Sequence, residues 1–158
     1  MRYFLLDKIT SFEAGKRASG VKCVTLTDDI LHDHFPDYPL LPGALLLESM
    51  SQLGGFLVEL SFHTHGGPVR RAVLAQIKDA KFHHGCKPGD RILLEAAIES
   101  QLEGAARVTV LASVEGERVA RSDLTFVLRE IDSPRVHEQR RQIYRLWTQD
   151  LKPPPIIP

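Results

Sequence analysis

One long stretch of this chain lacks basic residues. From Val24 to Val69 there is no lysine or arginine, while Asp28, Asp29, Asp33, Asp37, Glu48 and Glu59 all fall there. The next stretch reverses the sign, with Arg70, Arg71, Lys78, Lys81, Lys87 and Arg91 against only Asp79 and Asp90. Over the whole chain, 20 basic and 20 acidic residues cancel. A chain without net charge lacks the field of a nucleic-acid binder, and its weak self-repulsion favours association. Cysteine is also scarce. Cys23 and Cys86 are far apart and form no CxxC, which reads as two reduced thiols in a reducing compartment. The longest apolar stretch, Pro39 to Leu60, is broken by Glu48, Gln52 and Glu59, so it makes a poor membrane span. The opening apolar run stops at Asp7, too early for a signal peptide. These features imply a cytoplasmic protein without membrane or nucleic-acid partners. Zinc spacing is missing as well. His32/His34, His63/His65 and His83/His84/Cys86 match no recognised ligand pattern, so no metal is expected.

What remains is an ordinary globular composition, 43% hydrophobic and 25% charged over 158 residues, the size of one domain. Residues 3–14 and 17–27 read as strands around a Glu13-Ala14-Gly15-Lys16 turn. Prolines 36, 39 and 42 then exclude both helix and ladder strand, leaving a stiff loop over residues 32–43. Pro42 and Gly43 precede a helix of about residues 44–62, apolar around most of its circumference and therefore buried. Its polar exceptions, Glu48, Gln52, Gly55 and Glu59, form one narrow stripe. His63 and His65 fall where cationic side chains favour a helix C-terminus. Strands follow over residues 72–81, 91–100, 105–114 and 118–129, with turns at Lys87-Pro88-Gly89-Asp90, Leu102-Glu103-Gly104 and Glu115-Gly116-Glu117. One apolar helix beside a run of antiparallel strands predicts an α+β domain with the sheet wrapped around the helix. Ser133-Pro134 caps a further helix to about Asp150, with Ile143, Leu146, Trp147 and Leu151 expected on its packing face. Its expected dock is the outer sheet face or a neighbouring subunit. A proline-rich end closes the chain.

The chemistry concentrates in His34-Phe35-Pro36-Asp37-Tyr38-Pro39-Leu40-Leu41-Pro42-Gly43-Ala44-Leu45-Leu46-Leu47-Glu48-Ser49-Met50-Ser51-Gln52. A carboxylate on an apolar helix loses solvation, which suits it to proton donation near neutral pH. A histidine titrates there anyway. The two make a candidate general acid–base pair. Gly43 opens the helix, where free N–H groups and the helix dipole favour negative charge. The competing reading is that Glu48, Gln52 and Glu59 form a solvated stripe and His34 is an ordinary loop residue.

This segment resembles the active-site signature of the 3-hydroxyacyl-acyl carrier protein dehydratases, FabZ type: H-F-P-x-x-P-x-x-P-G-x-L-x-x-E-x-x-x-Q, met at every fixed position. The resemblance extends to residues 2–8, to Pro88-Gly89-Asp90 and to about Leu128. The sister FabA type resembles it but has aspartate where this chain has Glu48. The resemblance implies a hot-dog fold over residues 1–129, with residues 130–158 as a C-terminal extension. It also implies that His34 removes the α-proton of a 3-hydroxyacyl thioester and that Glu48 protonates the departing hydroxyl. The Gly43 N–H would bind the thioester oxygen, the Leu40 carbonyl would orient His34, and Gln52 would hold Glu48. No cofactor is implied. The implied partners are an acyl carrier protein and at least a second copy of the chain, with a trimer of dimers as the larger form, and with His34 of one subunit meeting Glu48 of the other. The basic residues Arg70, Arg71, Lys78, Lys81, Lys87 and Arg91 form the candidate docking surface for an acidic carrier. The chain departs from the family in lacking its usual N-terminal helical stretch, in carrying His83-His84-Gly85-Cys86 where basic residues and Pro-Val are usual, and in its extension. The rival readings are another hot-dog thioester enzyme, a thioesterase or enoyl-CoA hydratase, and a non-catalytic carrier-binding module.

Overall fold

A computed structural model describes residues 3–158; Met1 and Arg2, the latter the first residue of the N-terminal resemblance, lie outside it. Strand β1 (Lys8–Glu13) turns at Gly15 into β2 (Arg17–Cys23). A single 3-10 turn, Asp29–His32, leads into the proline loop and then into helix α1 (Gly43–Ser61). Strands β3 (Arg70–Phe82), β4 (Arg91–Leu102), β5 (Ala105–Val114) and β6 (Glu117–Glu130) follow, and helix α2 (Pro134–Thr148) comes last. The sheet is antiparallel and six-stranded, in the order β1-β2-β4-β5-β6-β3. Leu46, Met50, Leu53, Phe56 and Leu57 of α1 bury against Ile9, Ala18, Ile92, Leu94, Val108, Val110, Leu124 and Phe126 of the strands. The concave face of the sheet therefore grips the apolar circumference of α1.

Turn chemistry sets the hairpins. Glu115 and Gly116 both have positive φ, 50° and 85°, as a tight hairpin matched to strand twist demands. Gly104, at φ 74°, does the same between β4 and β5.

Two strands are shorter than the sequence pattern predicts. The expected strand over residues 3–14 enters the ladder only at Lys8, because the Leu5 N–H donates to Gln52 Oε1 (2.9 Å) and the Leu5 carbonyl accepts from Ser49 Oγ (3.0 Å). The strand expected to reach residue 27 ends at Cys23. The chain turns at Thr25–Asp28, where the Asp28 N–H donates to the Thr25 carbonyl (3.0 Å). The end of α1 also differs from expectation. Among the described residues no hydrogen bond joins His63 or His65 to its last turn, and the Phe62 carbonyl accepts from Arg70 instead (3.4 Å). Burial first, then the neighbouring His65 and Arg71, holds the His63 imidazole below its ordinary pKa.

Helix α2 starts where Ser133 and Pro134 predict, with the Val136 N–H donating to Ser133 Oγ (3.4 Å). Its packing face and dock both need correction. Leu146 is 57% exposed, whereas Tyr144 and Trp147 are buried. Tyr144 follows Arg140 by four residues and precedes Trp147 by three, one helical face; Leu146 lies on the other. The dock is not the outer sheet face. Tyr144 meets Phe56 of α1 edge to face (5.1 Å between centroids), and Trp147 meets Phe4 (6.4 Å). The helix thus closes the flank of α1 beside β1, in one continuous apolar cluster with the rest of the core. Trp147→Ala should cost about 3–5 kcal/mol, and Leu146→Ala under about 0.5 kcal/mol. Thermal melts of the two variants check this; equal losses would contradict the observed face.

Candidate active site

The proline loop folds back on itself. The Leu40 N–H donates to the His34 carbonyl (2.8 Å), and Phe35 and Tyr38 exchange backbone hydrogen bonds (3.1 and 3.0 Å). This closes a rigid ring around His34, whose peptide bond to Phe35 is cis. His34 Nδ1 lies 2.9 Å from the Leu40 carbonyl. A carbonyl can only accept, so Nδ1 carries a proton, and in the neutral ring the free lone pair is on Nε2. That is the tautomer of a base.

Glu48 is half-buried on α1, one turn above Gln52. Gln52 Nε2 donates to Glu48 Oε1 (3.0 Å) and to the Tyr3 carbonyl (3.0 Å), while its own oxygen accepts from the Leu5 N–H (2.9 Å). The N-terminal segment therefore fixes the amide, and the amide fixes the carboxylate. Tyr3 and Leu5 in this role escape sequence reasoning, since both look like strand residues.

Gly43 is the first residue of α1, so its N–H has no partner within the helix. A Cβ there would sit 3.2 Å from the Phe82 ring. Glycine lets Phe82 lie over the helix start.

His34 and Glu48 line different cavities in the single chain. His34, Leu40 and Gly43 border one of about 240 Å³ with Phe82, His83 and Cys86. Burial first and Asp90 second push the Cys86 thiol up to about 11, so it stays a protonated, unreactive wall. Glu48 and Gln52 border a second cavity of about 450 Å³ that reaches Glu59 on α1 and Arg140 and Tyr144 on α2.

Glu59 does not belong to a solvated stripe. It is 2% exposed, and it accepts from Arg71 Nη1 (3.0 Å), the Ala72 N–H (3.0 Å) and the Tyr144 hydroxyl (2.8 Å). Burial, then the Glu59 charge, pushes the Tyr144 phenol well above its ordinary pKa, so it remains a donor. Arg71 Nε donates to His137 Nδ1 (3.1 Å), and His137 Nε2–H donates to the Ile131 carbonyl (2.7 Å). Arg71 is 1% exposed and is removed from the docking surface. The deeply buried carboxylate holds its guanidinium inside. Arg70 is half-buried, whereas Lys78, Lys81, Lys87 and Arg91 are exposed. Among the described residues no cluster of His, Cys, Asp and Glu has the grouping of a metal centre, and no helix is long and apolar enough to cross a membrane.

A long apolar helix gripped by an antiparallel sheet is the hot-dog architecture. A hot-dog-like protein from Thermanaerovibrio acidaminovorans shares it at TM-score 0.62 and 18% identity, over 81% of this chain and 93% of that one. A Streptococcus mutans protein solved with acetyl CoA does so at 0.62 and 19%, over 80% and 90%. The FabA-like domain family matches residues 1–123. The 3-hydroxyacyl-[acyl-carrier-protein] dehydratase FabZ of Bacillus velezensis is 38% identical over 128 residues, 81% of this chain and 89% of that one. Its Thiobacillus denitrificans counterpart is 38% identical over 131 residues, 81% and 88% of the two chains. This chain belongs to the FabA-like family, as a FabZ-type member.

Proposed function

We propose that this chain dehydrates a 3-hydroxyacyl group, carried on acyl carrier protein, to the trans-2-enoyl thioester in fatty acid biosynthesis. The observation that carries the reading is the pairing, in a chain of this family, of a histidine held in its basic tautomer with a carboxyl group held by an amide. His34 Nε2 takes the proton from the α-carbon. The Gly43 N–H meets the thioester oxygen as it gains enolate charge, an interaction strongest in the transition state. Glu48 gives its proton to the β-hydroxyl, which leaves as water while the double bond forms.

The two residues act across a subunit boundary in this reading. Their separation into two cavities supports that, as does β3, a strand paired on one side only, along which Val73, Ile77 and Phe82 are exposed. Pairing two such edges would cover apolar surface and satisfy free backbone groups. A homodimer is thus the minimal enzyme, and a trimer of dimers a larger form of it. With reduced cysteines, we place it in the cytoplasm.

Purified protein incubated with a 3-hydroxyacyl carrier protein should form the enoyl thioester, visible in the ultraviolet and by mass. Hydrolysis of a plain acyl-CoA in place of dehydration would make it a thioesterase, and binding without turnover a carrier-binding module.

Lys78, Lys81, Lys87 and Arg91 form the carrier-docking surface in this reading. Charge steering is screened by salt. Raising salt should therefore lower kcat/KM for carrier-bound substrate by about tenfold or more and change it little for a short thioester mimic. Equal dependence would remove the patch.

A further inference from the structure

The cavity that begins at Glu48 ends in a wall supplied by α2. Val136, Gln139, Arg140 and Tyr144 line it, and all lie beyond residues 1–123, the part matched by the family. From Glu48 to Glu59 the cavity follows eleven residues of α1, about 16 Å along a helix axis. At the far end Tyr144 bonds to Glu59, and Arg140 lies one turn before Tyr144 on the same face of α2.

Glu48, Glu59 and Arg140 all line this space, but they do not pair with one another. Glu59 is already answered by Arg71, the Ala72 N–H and Tyr144. Arg141 pairs with Glu138. Arg140 is half-buried, lines the cavity, and has no carboxylate within ion-pair distance among the described residues. A methyl group packed against it would remove water from the guanidinium without replacing those hydrogen bonds. A carboxylate would replace them with charge-assisted bonds of matching planar geometry.

We propose that this cavity is the acyl pocket and that Arg140 selects 3-hydroxyacyl substrates whose far end bears a carboxylate. The inference rests on the dehydratase reading and adds the substrate class. Arg140 is a specificity residue, remote from the reacting carbons.

The test uses a length series of carrier-bound 3-hydroxyacyl thioesters, hexanoyl to dodecanoyl, each made with a methyl end and with a carboxylate end. The native protein should prefer the carboxylate end by about tenfold or more in kcat/KM at one or more lengths. Arg140→Gln should bring that ratio to about one, Arg140→Lys should keep part of it, and Arg140→Glu should invert it. Native protein that prefers the methyl end at every length overturns the proposal whatever the variants do, and so does an unchanged ratio in folded Arg140→Gln. Turnover of methyl-ended substrates alone would sink only this inference, whereas no enoyl product from any substrate would sink the dehydratase reading beneath it.

Discussion

His34→Ala and Glu48→Gln should each lower dehydration by about 10²–10⁴-fold, because each removes one proton transfer from the transition state. Neither should shift the melting temperature by more than a few degrees. His34 sits in a loop closed by backbone hydrogen bonds, and glutamine can still accept from Gln52. The two inactive variants also report on each other. If one subunit supplies His34 and its partner Glu48, mixing them with subunit exchange should recover part of the activity, since a mixed dimer holds one site with both native residues. Near-native turnover in either single variant would discard the acid–base assignment. Two inactive variants that never complement would place the whole site in one chain.

A large expected effect on stability lies elsewhere, at Arg71. Its side chain and that of Glu59 are each 1% exposed, 3.0 Å apart. Two charges so deeply buried stabilise the fold little as a pair, because their desolvation offsets their attraction. Removing one leaves the other without compensation. Arg71→Ala should therefore cost about 3–5 kcal/mol. Glu59→Gln should be comparably harmful, because it leaves a buried guanidinium that already has one nitrogen, Nη2, without a partner. The double replacement, Glu59→Gln with Arg71→Ala, should cost clearly less than the sum of the singles. Chemical denaturation of the set measures this, and additive losses would show that the two charges do not depend on each other. Tyr144 and His137 bond to the same pair, so loss of Arg71 should also loosen α2. Faster proteolysis near residues 131–148 would report it.

Chemistry and local backbone were legible from the chain because they are written over short distances. Residues 34–52 run continuously from the histidine to the amide that holds the carboxyl group, and the prolines that stiffen the loop lie among them. The Glu115-Gly116 and Leu102–Ala105 turns were visible for the same reason: backbone with positive φ favours particular residues at particular positions. The apolar circumference of α1 likewise declares burial without naming what covers it.

Only the tertiary structure decided what each polar group faces. Glu48 and Glu59 share one stripe of α1 and border one cavity, yet Glu48 is held by a single amide while Glu59 is buried under Arg71, Ala72 and Tyr144. Arg71 reads as surface charge beside Arg70 because nothing local distinguishes the two; strand alternation turns one inward to a carboxylate twelve residues earlier. Leu146 and Tyr144 are both plausible packing residues, and the choice between them depends on where Phe56 lies. The separation of His34 from Glu48 is a fact of the same kind. Sequence spacing fixes their distance along the chain, but the path of the loop around the start of α1 puts them on different cavities. Periodicity reports that a face must be covered, and burial and pairing energies are settled by which distant side chains arrive to cover it.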